Sequence, residues 1–303
     1  MLDILVVGSL NMDLVVRVPR FPAPGETISG GDLVLIPGGK GANQAVAAAR
    51  LGANVAMLGR VGSDVFGQAL LENLAQNRVD VSRVRCDAAA TGTATIIVDA
   101  HGQNSIVLSP GANGKVTPDD VIDLPDANTL LLQFEIPSET VLSTAQQARE
   151  KGMRVIVNPA PAREMDKALL KSVDVLVPNE TELSLLTGAT VTDIASAEAA
   201  ARMLMMQGAG MVIVTRGEHG SLAVTKSGHY MIPSFKMNVV DTTAAGDAFI
   251  GGLAVSLVEN KPFNEALTYA NACGALATTK FGAQPSLPTK DEVGEFLFKM
   301  HLI

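Results

Sequence analysis

The sequence predicts an α/β protein with three layers: a mostly parallel central sheet between two layers of helices, and a small β-sheet over one edge. Three observations predict it. Short runs such as 4–7 and 130–132 are apolar throughout, which suits strands buried on both faces. These runs alternate with helical stretches, and such alternation makes neighbouring strands parallel. Two β-rich patches, about 14–36 and 91–108, interrupt the alternation.

Composition narrows the classes. The chain has 303 residues, 47% of them hydrophobic, enough for a sizeable core in about two domains or one large α/β unit. A net charge of −8 argues against a nucleic-acid or anionic-membrane partner. Polyanions can still bind such a chain locally, at helix ends and metal ions. Cys86 and Cys273 show no metal or redox spacing and read as buried small residues of a reducing compartment. No leader pattern and no apolar run of about 20 residues is seen, so a cytoplasmic location is expected. The four histidines show no metal spacing, and His219 is expected to be exposed.

In chain order, the first strand leads into Gly8-Ser9-Leu10-Asn11-Met12-Asp13. A dinucleotide fingerprint needs glycine where Leu10 and Asp13 stand, which counts against an NAD-type enzyme. Asn11 and Asp13 instead offer an amide and a carboxylate beyond a strand end, a pair able to bind a vicinal diol. An Asx turn explains them equally well. Residues 14–18 and 27–36 read as extended, with Pro19, Pro22, Pro24 and Gly25 between them. Residues 91–98 and 105–108 read likewise around a turn at 99–104. Together these predict a small antiparallel sheet that covers the site.

Gly38-Gly39-Lys40-Gly41-Ala42-Asn43-Gln44-Ala45 opens an Ala-rich helix that stops at Gly52. It is no Walker A loop, because Gly41 follows the lysine. The glycines let backbone approach a ligand, and Asn43 lies in the helix's first turn. Further strands are expected at 55–58, 130–135, 155–157, 173–177 and 211–214, and helices at about 64–76, 138–151, 262–277 and 290–300. A polar residue closely follows each of several strands: Asn11 or Asp13, Glu135, Asn158, Asn179, Thr215 and Asp241. Ligands of open α/β sheets bind at that edge, so these residues point to one shared site.

The chain is organised around residues 239–252. An apolar strand is expected to end at Asp241. A turn through Thr242, Thr243, Ala244, Ala245 and Gly246 follows, and a helix starts near Asp247 and runs to about Val258. The N–H groups of residues 244–247 would be free donors at that helix start, suited to phosphate. Asp247 would repel a phosphate unless it serves the attacking hydroxyl, as a base does in phosphoryl transfer. An acidic residue in an ordinary first helical turn is the plainer reading of this stretch alone.

Asp241-Thr242-Thr243-Ala244-Ala245-Gly246-Asp247 and Gly39-Lys40-Gly41-Ala42-Asn43-Gln44 together resemble the motifs of the ribokinase family of carbohydrate kinases. Matching blocks run in order from Gly8 to Ser286. The resemblance implies a ribokinase-like three-layer α/β/α fold forming one catalytic domain over 1–303, with a β-sheet lid from segments 14–36 and 91–108. It implies ATP-dependent phosphorylation of D-ribose at O5, or of another small sugar such as deoxyribose, fructose or a nucleoside. A catalytically silent sugar or nucleotide sensor is the reading from a different class. Asp247 resembles the catalytic base, with Ala244, Ala245 and Gly246 as anion hole. Asn11, Asp13, Gly39, Lys40, Gly41, Asn43, Glu135 and Asp247 resemble the sugar contacts. Asn179, Thr215, Arg216, Gly217, Gly220, Gly246 and Asn271 fall where the family binds ATP, and Glu182 where Mg²⁺ is held through water. A K⁺ site is implied at Asp241, Thr243, Ala277, Lys280, Gly282 and Ser286, and a homodimer through the lid. Ala248, Ile250 and Phe281 depart from the pattern, and Phe281 bears on packing near the cation loop.

Overall fold

The computed structural model describes residues 2–302. Its strands and helices in chain order are β1 (Leu2–Val7), β2 (Asn11–Arg17), β3 (Val34–Gly38), α1 (Lys40–Arg50), β4 (Val55–Gly62), α2 (Val65–Gln76), β5 (Val79–Asp87), β6 (Gly92–Val98), β7 (Asn104–Ser109), β8 (Ala127–Gln133), α3 (Ser138–Glu150) and β9 (Arg154–Asn158). They continue as α4 (Lys167–Leu170), β10 (Val175–Leu176), α5 (Glu180–Thr187), α6 (Ile194–Met206), β11 (Met211–Thr215), β12 (Ser221–Thr225), β13 (Gly228–Ile232), α7 (Ala245–Val258), α8 (Phe263–Ala277), α9 (Ala283–Ser286) and α10 (Lys290–Lys299).

Nine strands form the main sheet, in the order β13-β12-β11-β10-β9-β8-β1-β4-β5. All pairs from β11 to β5 are parallel, and the hairpin at the β13 end is antiparallel. The expected three layers follow from β1 itself. Ile4 and Val6 pack into a core shared with α1, α2, α7, α8 and α10. Leu5 and Val7 face a second core made with α3, α4, α5 and α6. Alternate residues of a strand point to opposite faces, so an unbroken apolar run needs helices on both sides.

The direction of travel reverses between β1 and β8: the chain moves from β1 to β4 and β5 on one side, then from β8 to β9, β10 and β11 on the other. A crevice opens at such a switch point, beyond the strands' carboxyl ends. The residues following β1, β8, β9, β10 and β11 therefore share one edge, as expected for Asn11, Asp13, Glu135, Asn158, Asn179 and Thr215. Asp241 is the exception. No strand precedes it, and Val239 and Val240 are exposed. The N–H groups of Val240 and Asp241 donate to the carbonyl of Thr278, so the segment is tied to the end of α8, not to a sheet.

The smaller sheet has the order β3-β2-β6-β7. Its outer pairs are antiparallel, but β2 and β6 are parallel, which corrects the expected all-antiparallel sheet. The physical reason is the connection. A tight turn joins β6 to β7, whereas α1, β4, α2 and β5 separate β2 from β6, long enough to permit a parallel return. The segment 27–33 forms no strand. Cys86 is exposed on the edge strand β5, contrary to expectation, while Cys273 is buried. His219 is exposed as expected.

Candidate active site

The turn between β3 and α1 is built by close approach. Gly39 has φ 86°, and a Cβ there would lie 2.6 Å from the nitrogen of Asn11. A Cβ on Gly38 would meet the carboxylate of Asp13 at 2.3 Å, and one on Gly41 the nitrogen of Ser9 at 2.6 Å. These glycines bring the start of α1 against the end of β1. The backbone N–H of Lys40 donates to Glu135 Oε2 (3.1 Å), as do Ser9 Oγ and Asn11 Nδ2. Asn113, in a 3₁₀ turn at Gly111–Lys115, donates from Nδ2 to Asn11 Oδ1 (2.7 Å) and brackets the Leu10 backbone. Ser9 and Asn113 thus orient Glu135 and Asn11, yet neither is predictable from local sequence. A cavity of about 300 Å³ opens beside Asn11 and Glu135, walled by Leu108, Pro110, Asn113 and Arg163.

Electrostatics mark the same place. Burial raises the pKa of Asp13 to about 7, helped by repulsion from Glu135 and Asp247 and opposed by Lys40. Burial works against the charge of Lys40, but Asp247, Glu135, Glu182 and Asp13 outweigh it and hold its pKa above the usual lysine value. One cation among several carboxylates suits a neutral polyol, whose hydroxyl groups donate to the carboxylates and accept from the ammonium.

Helix α7 starts at Ala245, two residues before the expected position, with Ala244 as N-cap in the left-handed region at φ 60°. The Ala245 N–H already donates to Thr242 O (3.2 Å), which removes it from the expected set of free donors. The capping residue's methyl group has no hydrogen-bonding atom, so the Gly246 and Asp247 N–H groups, at the second and third positions of the helix, have no side-chain cap. A Cβ on Gly246 would meet no protein atom within 4 Å. Packing therefore does not demand glycine there, and the space in front of the helix start is open. Asp247, 5% exposed, accepts from Asn43 Nδ2 at Oδ2 (2.9 Å) and from Gln44 Nε2 at Oδ1 (3.0 Å). Asn43 Oδ1 is buried and unpaired among the described residues.

On the far side of the crevice, Asn179 caps α5 and exchanges hydrogen bonds with Glu182, both at 2.8 Å. Burial raises the pKa of Glu182, against its hydrogen bond from Asn179 and the charge of Lys40. The Arg216 guanidinium is turned to Glu180 (2.9 Å), which leaves its backbone to line the crevice. Gly217 and Gly220, both at positive φ, shape the loop after Thr215. Asn271 donates to the carbonyls of Ile232 and Pro233, fastening the end of β13 to α8.

Asp241 joins two turns. It accepts from the N–H and hydroxyl of Thr243 on one oxygen and from the Gly282 N–H on the other (2.9 Å). Burial opposes its charge, but these bonds and the charge of Arg17 hold its pKa below the usual range. Ala277 and Lys280 lie at the C-terminal end of α8, where the helix carbonyls carry partial negative charge. Ser286 Oγ donates to Ala283 O within α9. Phe281 lies under Arg17, 5.2 Å from guanidinium carbon to ring centre. Among the described residues no cluster of three His, Cys, Asp or Glu side chains forms a metal centre. The oxygens at Asp241 and the carbonyl-rich helix end fit a weakly bound monovalent cation. A single carboxylate at Glu182 fits Mg²⁺, which keeps most of its waters.

A buried carboxylate beside free helix N–H groups, next to a cluster of carboxylates and amides suited to a polyol, is the arrangement of a small-molecule kinase. The family model of the pfkB family carbohydrate kinases matches residues 1–290, and the chain belongs to that family. It is 42% identical over 297 residues to the ribokinase of Haemophilus influenzae, covering 96% of this chain and 97% of that one. It is 39% identical over 304 residues to the deoxyribokinase of Salmonella typhi, covering 98% and 99%. The solved structure of Arabidopsis thaliana ribokinase complexed with ribose and ATP matches with a TM-score of 0.92 at 35% identity, covering 98% and 99%. The chain is an enzyme of carbohydrate phosphorylation with the ribokinase fold.

Proposed function

We propose that the chain transfers the γ-phosphoryl group of ATP to O5 of D-ribose, giving D-ribose 5-phosphate and ADP. The observation that carries this reading is Asp247, a buried carboxylate held by two amides at an uncapped helix start. Asn11, Asp13, Gly39, Lys40, Gly41, Asn43 and Glu135 hold the sugar. Asp247 takes the proton of the O5 hydroxyl. O5 bonds to the γ-phosphorus while the bond from that phosphorus to its bridging oxygen breaks, and the electron pair leaves on ADP. The turn through Ala244, Ala245 and Gly246 stabilises charge on the transferred group, mainly through the Gly246 N–H. Asn179, Thr215, Gly217, Gly220, Asn271 and the backbone of Arg216 hold the nucleotide.

Bound Mg²⁺ near Glu182 supplies charge neutralisation on the phosphates, and K⁺ at Asp241, Thr243, Ala277, Lys280, Gly282 and Ser286 steadies the turn before α7. The four-stranded sheet acts as a lid over the sugar within a single catalytic domain. Its exposed Leu35 and Val107, which share the face of Leu14 and Thr95, support pairing with the same face of a second copy. Light scattering is then expected to give twice 31.5 kDa, and a monomer mass at micromolar protein refutes the pairing. An acidic, cysteine-poor chain with no membrane-crossing helix among the described residues supports a cytoplasmic location.

The test is ADP release with ribose, 2-deoxyribose, fructose and a nucleoside, each with and without K⁺. Turnover confined to ribose and raised by K⁺ is expected. Turnover only with 2-deoxyribose, the substrate class in the name of the Salmonella relative, would reassign Asn11, Asp13 and Glu135. Absence of turnover with every sugar would favour a silent sensor.

A further inference from the structure

We infer that Gln44, held in one orientation by Asn158 and Gln133, is the residue that positions Asp247 for proton transfer; this rests on Asp247 being the base. All four side chains are buried: Gln44 and Gln133 are 0% exposed, Asp247 5% and Asn158 7%. A primary amide can present its oxygen or its nitrogen, and in most settings the choice is free. Here it is forced from a backbone carbonyl. Val177 O can only accept, so Asn158 must turn its Nδ2 toward it (3.0 Å). That leaves Asn158 Oδ1 facing Gln44, which must answer with Nε2 (3.4 Å). On the other side Gln133 Nε2 donates to Gln44 Oε1 (2.6 Å). Gln44 is thereby fixed with both Nε2 hydrogens outward, one to Asn158 and one to Asp247 Oδ1 (3.0 Å). The orientation is set before Asp247 is counted.

The arrangement is held at a cost. Gln133 Oε1 is buried and unpaired among the described residues, and the Cα of Gly8 closes it off, since a Cβ there would lie 2.1 Å away. Turning the Gln133 amide would pair nothing better and would oppose its oxygen to Gln44 Oε1. A buried unpaired carbonyl is unfavourable, so an apolar residue inside β8 would serve folding alone better. The amide is explained by what it does to Gln44. The chain Val177–Asn158–Gln44–Asp247 links the ends of β9 and β10 to α1 and α7, so the carboxylate is registered against the sheet that carries the substrate ligands.

The test compares Gln44→Met, Gln133→Met and the double variant in steady-state kinetics. Met keeps the length and volume without hydrogen bonds. Gln44→Met is expected to lower kcat about 10- to 100-fold with the KM values for ribose and ATP within about threefold of the parent, the size of one lost hydrogen bond to a charge. Gln133→Met is expected to lower kcat about 3- to 10-fold. The double variant is expected to match Gln44→Met alone, because Gln133 acts only through Gln44. A Gln44→Met kcat within threefold of the parent overturns the inference, as does a double variant whose loss is the product of the two single losses. A loss carried in KM with kcat unchanged also overturns it. A parent protein that turns over no sugar fails in a different way: it removes the base role itself.

Discussion

Replacing Asp13 by Asn removes a charge that the free protein holds at a cost. The Asp13 pKa is raised from 3.8 to about 7, through burial first and then through Glu135 and Asp247. A raised carboxylate pKa means that the folded state prefers the proton. The penalty on stability is therefore complete above about pH 7, shrinks as pH falls, and is gone below 3.8. About three pKa units at 1.36 kcal/mol each give at most about 4 kcal/mol. Urea unfolding of the ligand-free protein is the assay. Asp13→Asn is expected to be more stable than the parent at pH 8 by up to about 4 kcal/mol, with the gap narrowing by more than half at pH 5. The same variant is expected to lose ribose affinity by about 10-fold or more, since it surrenders a charged acceptor. A variant no more stable than the parent at pH 8, or a gap independent of pH, would refute the argument that Asp13 is strained by its surroundings to serve a ligand.

The same pKa gives the ligand a pH dependence: sugar hydroxyls favour ionised Asp13, so the ribose Kd is expected to rise as pH falls below about 7, and a Kd flat from pH 5 to 8 by calorimetry would contradict this. Gly246→Ala is expected to stabilise the protein by about 0.5–1 kcal/mol, because its Cβ meets no protein atom, yet to cut kcat/KM for ATP at least about 10-fold; unchanged kinetics would remove Gly246 from the phosphate site.

Much of this was legible in the sequence for a physical reason. Strands β1 and β8 are apolar on both faces, and glycines at 38, 39 and 41 announce a backbone packed against something. The strand-end polar residues, Asp241 apart, followed adjacent parallel strands as expected. What was missed had weaker or longer-range signals. Edge strand β5, VDVSRVRCD, is half polar, and the hairpin of β12 and β13 leads away from the apolar pattern. Val239 and Val240 look like a strand but are held by one carbonyl of α8. Gln44 sits one residue from Asn43 and looks like an ordinary helix residue. Its partners Gln133 and Asn158 lie 89 and 114 residues away, and only the fold brings them together. Asn113 reaches Asn11 across 102 residues in the same way.

The proposed base is Asp247. Ribose-dependent ADP release by Asp247→Asn, measured beside ribose binding by calorimetry, tests it most directly. Turnover at least about 100-fold below the parent is expected with ribose still bound, because the amide keeps the shape and loses the proton acceptor. Turnover near the parent level with binding intact would contradict it and leave Asp247 a structural partner of Asn43 and Gln44.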